Sequence, residues 1–128
     1  MNELRRKIAA AATGPAAPDG PGATSRRYRF APDFPGFAGH FPGDPVLPAV
    51  VQLLAAVCLA EDGEGRRLRL AGVGTAKFLF PIRPDEEILV RCRVRADGDE
   101  RLCDAVVSAG GRPAAVAQLR LADERENG

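Results

Sequence analysis

The chain has 128 residues; 45% are hydrophobic and only 5% aromatic, with no Trp, which fits one domain around an aliphatic core. Its 18 Lys and Arg nearly balance 17 Asp and Glu, for a net charge of +1, a balance that does not call for a nucleic-acid surface. Three cysteines (Cys58, Cys92, Cys103) without CxxC spacing, and a single His, argue against a disulfide framework or a zinc site.

Between Asn2 and Ala12, Leu4, Ile8 and Ala11 or Ala12 recur at helical spacing, so the start reads either as a short helix or as a frayed end. The basic residues of Met1–Lys7 precede alanines too few and too weakly apolar for a signal peptide, so a cytoplasmic location is expected. Thr13 to Thr24 has the Gly/Pro composition of a flexible linker. Arg26 to Phe30 alternates and predicts the first strand; Ala31 to Gly39 is an irregular approach. The expected division is a helix and linker over 1–24, a main domain over 25–122 and a charged tail over 123–128.

Gly39 to Ala60 organises the rest. Phe41-Pro42-Gly43-Asp44-Pro45 cannot be helical, because each Pro fixes its own φ and extends its predecessor, while Gly43 permits a tight bend. From Pro48, expected at the first helical position, the residues to Ala60 are apolar on nearly every face, Gln52 alone excepted. Such a helix should be buried all round and end near Gly63. At about 20 Å it is too short to cross a bilayer.

Arg67 to Phe80 predicts a strand, with Gly72 and Gly74 marking a bend or bulge, and Pro81 to Glu87 a turn. Asp97-Gly98 predicts a two-residue hairpin. That register sets Cys92 opposite Cys103, as free buried thiols, on an apolar face with Ile88, Val90, Ala105 and Val107. It also pairs Arg91 with Asp104 and Arg95 with Glu100. At Gly110-Gly111 a three-residue loop is preferred to a two-residue one, because it turns Ala115, Ala117, Leu119 and Leu121 inward. One sheet cannot cover the helix and both its own edges, so a dimer is expected.

The motif HFPGDPVLP at His40–Pro48, followed by the apolar helix, together with AKFLFPIRPD at Ala76–Asp85, resembles the 3-hydroxyacyl-acyl-carrier-protein dehydratases of fatty acid synthesis. The resemblance covers about Tyr28 to Leu121. It implies an α+β hotdog fold, an antiparallel sheet wrapped around a central buried helix, with tunnels at the interface of a dimer. It further implies His40 as the base that removes a C2 proton from a 3-hydroxyacyl thioester. Phe41, Gly43, Ala49, Val50 and Leu54 would line the substrate site, the amides near Ala49 and Val50 holding the thioester oxygen.

Two positions depart from the family pattern. Its Gly is Ala49 here, which retains the amide, and its catalytic Glu or Asp is Leu54, which cannot donate a proton. No neighbour replaces the acid convincingly. Gln52 lies about 200° round the helix from Leu54. Cys58 shares Leu54's face but is a poor acid. Glu61 is about 10 Å further along, and Asp33 and Asp44 lie in loops. The reading is therefore an acyl-thioester-binding, dehydratase-like protein of fatty acid, polyene or polyketide metabolism. The alternative is a non-catalytic subunit that binds acyl chains or completes a heterodimer, with His40 structural; a thioesterase is less favoured. The thioester would be carried by acyl carrier protein or coenzyme A, with Lys77 and Arg83 either surface charges or attractors of the carrier. No metal, nucleotide cofactor, nucleic acid or membrane is implied.

Overall fold

A computed structural model of the chain describes residues 3–37, 43 and 45–124. The N-terminal helix α1 (Glu3–Ala10) forms, and Ile8, on its apolar stripe, is fully buried. The residues after it are not a free linker. Thr13 N–H donates to Arg27 O at 2.9 Å, and a two-residue strand β1 (Ala17–Pro18) pairs with the strand that follows. That strand, β2 (Ala23–Arg29), begins three residues before the predicted Arg26, because Thr24 and Ser25 have β1 to bond with.

The central helix α2 runs from Ala49 to Glu64. Pro48 is its N-cap and not its first helical residue: its φ of −63° suits either place, but its ψ of 150° is extended. The helix runs past Gly63 to Gly65, whose φ of 68° is left-handed and whose N–H donates to Glu61 O at 2.8 Å. Gly63 matters for packing and not for termination. A Cβ there would collide with the Thr24 hydroxyl, so glycine lets α2 lie close over β2.

Four further strands follow: β3 (Leu68–Phe78), β4 (Glu87–Asp97), β5 (Glu100–Ala109) and β6 (Arg112–Asp123). All pair antiparallel in the order β1-β2-β4-β5-β6-β3. The sheet wraps α2, and Val51, Ala55, Val57 and Leu59 share one core with Leu68, Ile88, Val90, Leu119 and Leu121. This is the expected α+β hotdog fold.

Burial of α2 is incomplete, however. Val50 is 56% exposed, and Leu53, Leu54 and Cys58 are partly exposed. The sheet covers one side; on the other, α1 reaches only the C-terminal half, held by an Arg5–Glu61 ion pair at 3.0 Å. Among the described residues no helix is long and apolar enough to cross a membrane.

The β4–β5 hairpin turns at Gly98-Asp99, not Asp97-Gly98. Gly98 has φ 62° and Asp99 does not enter the positive region, which matches a turn with Gly at its first central position. Moving the loop by one residue shifts each pair by two and preserves the faces. Cys92 and Cys103 stay on the inner side as free thiols, but Cys92 faces Ala105 and Cys103 faces Val94. The charges re-pair: Arg95 meets Asp104 at 2.9 Å, Arg91 meets Asp19 at 3.2 Å and Glu100 meets Arg120 at 3.4 Å.

The β5–β6 loop has two residues, Gly110 and Gly111, both at positive φ, and not the expected three. A bulge at Ala114 then restores the parity, so Ala115, Leu119 and Leu121 are buried as predicted. Asp123 is not part of a frayed tail; it ends β6 and pairs with Arg66 and Arg101. The irregularities expected at Gly72 and Gly74 appear as register shifts between Leu70 and Gly72 and between Val73 and Thr75.

Candidate functional site

The two motif stretches meet at the N-terminal end of α2. Leu47, 3% exposed, donates its N–H to Ile82 O at 2.8 Å, and Ile82 is itself buried. The Leu47 carbonyl accepts from Gln52 Nε2 at 3.1 Å. Leu47 thus ties the Pro-rich turn to the second motif on one side and to the helix on the other. Between the stretches lies a groove of about 510 Å³, walled by Val46–Ala49 and Gln52 on one side and Phe78–Pro81 on the other. The second wall is fixed from β6: Leu79 N–H donates to the Ala114 carbonyl at 2.8 Å. The Arg112 guanidinium lies 4.5 Å over the Phe80 ring.

His40 and Phe41 lie outside the described residues, as does Asp44. Gly43 is exposed with φ 86°, a left-handed conformation that favours glycine and supplies the predicted bend. Ala49 lines the groove as the first residue of α2. Its amide and that of Val50 belong to the first turn, where an α-helix has no carbonyl to offer. Val50 and Leu54 stand apart from the groove walls, one turn from each other on the half-exposed stripe of α2. Burial pushes the Cys58 thiol, next along that stripe, up to about 11, too high for a proton donor near neutrality. Lys77 is exposed on β3, and Arg83 N–H donates to Glu86 Oε1 at 3.1 Å.

Gln52, unsuited to replace the acid, has a different place in the site. It is 5% exposed, and its Oε1 has no hydrogen-bond partner among the described residues. An unpaired buried amide oxygen costs about 1–3 kcal/mol. Measured against Leu54, Gln52 faces away; measured against Ala49, three residues before it, it lies only about 60° round the helix and shares the groove. That second comparison needs only the sequence. A larger cleft of about 570 Å³ at the opposite end of α2 contains none of the motif residues; its walls include Arg5, Glu61 and Arg66, which pair with acidic or basic neighbours.

Residues 21–110 match the ApeI-like family, described as ApeI dehydratase. Among curated proteins, the 3-hydroxyacyl-[acyl-carrier-protein] dehydratase FabZ of Caulobacter vibrioides is 33% identical over 95 residues, 66% of this chain and 60% of that protein. The FabZ of Desulfotalea psychrophila is 39% identical over 67 residues, 45% of each. The chain thus spans about half the length of the curated relatives it matches. Among solved structures, the dehydratase heterocomplex ApeI:P from Xenorhabdus doucetiae superposes with a TM-score of 0.71 at 18% identity, covering 87% of this chain and 96% of that one, a likeness of fold. Two motifs clamped at Leu47 and Ile82, a sheet wrapped on one helix, and the match over residues 21–110 agree: the chain belongs to the ApeI-like dehydratase family.

Proposed function

We propose that this protein binds an acyl thioester in the groove at the start of α2 and takes part in eliminating water from 3-hydroxyacyl thioesters. The observation that carries the reading is the Leu47–Ile82 clamp, which holds both motif stretches around one largely apolar groove. His40 takes the C2 proton as base. The electron pair forms the C2–C3 double bond, the C3–O bond breaks, and the departing hydroxide takes the proton from the His40 imidazolium and leaves as water. The first amides of α2, from Ala49 and Val50, stabilise the negative charge on the thioester oxygen. Phe41 and Gly43 shape the approach, and Leu54 stands where the acid would be.

Leu54 favours a second reading in which the protein is one half of a heterodimer and the proton comes from a carboxylate on the other chain. The fold likeness to the ApeI:P heterocomplex supports it. The edge strand β3, with Val73 46% and Phe78 44% exposed, offers a surface for a second copy or for a different hotdog chain.

The test incubates the purified protein with a 3-hydroxyacyl or enoyl thioester and follows hydration and thiol release together. Turnover that His40→Ala reduces by about 10²-fold or more supports the enzyme. Turnover that appears only when a second hotdog chain is added supports the heterodimer. Thiol release without water loss selects a thioesterase, and no binding of any acyl thioester ends the proposal.

A further inference from the structure

Resting on the acyl-thioester reading above, we infer that Gln52 keeps the amides of Ala49 and Val50 free for the thioester oxygen, by holding the Leu47 carbonyl away from them. Helix α2 could start at either of two residues. Pro48, with φ −63°, suits both starts, and its ψ of 150° selects the later one. In that state Val51 and Gln52 N–H donate to Pro48 O at 3.1 and 3.2 Å, and Ala49 and Val50 N–H have no partner among the described residues. An earlier start would make Pro48 the first helical residue, a place proline favours. Leu47 O would then be the first acceptor, taking Val51 N–H or, in a tighter turn, Val50 N–H. Proline has no N–H to replace one so withdrawn.

No side chain caps Pro48, so the choice falls to what holds Leu47. Its N–H is committed to Ile82 O at 2.8 Å, and its carbonyl accepts from Gln52 Nε2 at 3.1 Å. At 3% exposure that carbonyl has little water to turn to. Without Gln52 it is left unpaired, and rotation of Pro48 ψ brings it the free amides of the first turn. Gln52 does not hold its place for stability. Its oxygen has no partner among the described residues, and an unmet buried acceptor costs at least what the bond to Leu47 contributes. Its effect is to fix where the helix begins, and so what its first amides face. Ala49, which carries one of them, lines the groove. Gln52 touches no reacting atom; it positions the donors that do.

The experiment needs no turnover. Hexanoyl pantetheine, a thioester without a 3-hydroxyl, is labelled with carbon-13 at its carbonyl and added to the full chain. Infrared difference spectra record the carbonyl stretch, and titration calorimetry gives the affinity. Two fixed amides polarise the carbonyl, so the band of the wild-type complex is expected below its frequency in water. Gln52→Leu and the similarly shaped Gln52→Met should each return the band to that frequency or above it. Their affinities should stay within about 10-fold of wild type, as the loss of a neutral hydrogen bond allows. A wild-type band at its frequency in water overturns the inference and leaves acyl binding intact. A lowered band that survives both substitutions overturns it too. So does the loss of all binding in both folded variants, since Gln52 would then shape the groove as a whole. A wild-type protein that binds no thioester removes this inference together with the reading beneath it.

Discussion

A leucine cannot move a proton, and Leu54 stands where the resemblance places a carboxylic acid. It is partly exposed, so Leu54→Glu should fold, losing about 1–2 kcal/mol from apolar area no longer covered. If a thioester reaches that face, dehydration should rise by about 10²-fold or more, read as enoyl product over time. A folded and inert Leu54→Glu protein would show that Leu54 lies away from the chemistry, in keeping with its place off the groove walls. At Gln52 the expectation for stability is different. Gln52→Leu loses the bond to Leu47 O but also removes an orphaned oxygen, so its melting temperature should stay within a few degrees of wild type.

Along the elements, burial makes a pH prediction. Cys58 is held neutral, first by desolvation, with its titration moved from 9.0 to about 11. Tyr28 and Cys92 are raised as well, by burial in Tyr28 and by the neighbouring Cys103 thiol and then burial in Cys92. Below pH 9 both folded and unfolded chains keep the Cys58 proton, and the contribution to stability is complete. From pH 9 toward 11 the unfolded chain loses it first, so stability falls. Thermal melts over that range should show a decline that Cys58→Ala makes shallower.

The sequence speaks most clearly where packing depends only on period. The apolar run locates α2, and alternation assigns the inner faces of β4, β5 and β6. It misleads where two local solutions have equal parity. Asp97-Gly98-Asp99 offers two loops, and only the backbone geometry of Gly98 chooses between them. The β5–β6 face is right for the wrong loop, because a bulge replaces the third loop residue. The candidate site is legible in its motifs. Gln52 escapes a comparison made with the missing acid and emerges only in one made with the groove.

For the whole molecule, the open question is what lies beside β3. One side of that strand pairs with β6; the other is a sheet edge with no strand beside it among the described residues, and its side chains are exposed over most of its length. Such an edge joins another strand readily. Val73→Lys should shift sedimentation toward the monomer at micromolar concentration with little change in melting of the separate chain, since Val73 is 46% exposed. An unaltered sedimentation profile would place the contact elsewhere, for instance on the Val50–Leu54 stripe.

The extra residue at Ala114 couples two distant parts of the chain. Its carbonyl anchors Leu79 and its presence sets which side of β6 looks inward. Trimming that one alanine would therefore loosen a groove wall more than thirty positions upstream while the hairpin itself could still close. If the groove holds an acyl chain as proposed, the length of the β5–β6 arm is constrained by recognition as well as by folding, and a deletant that retains its circular dichroism but no longer holds an acyl chain would be the sign of it.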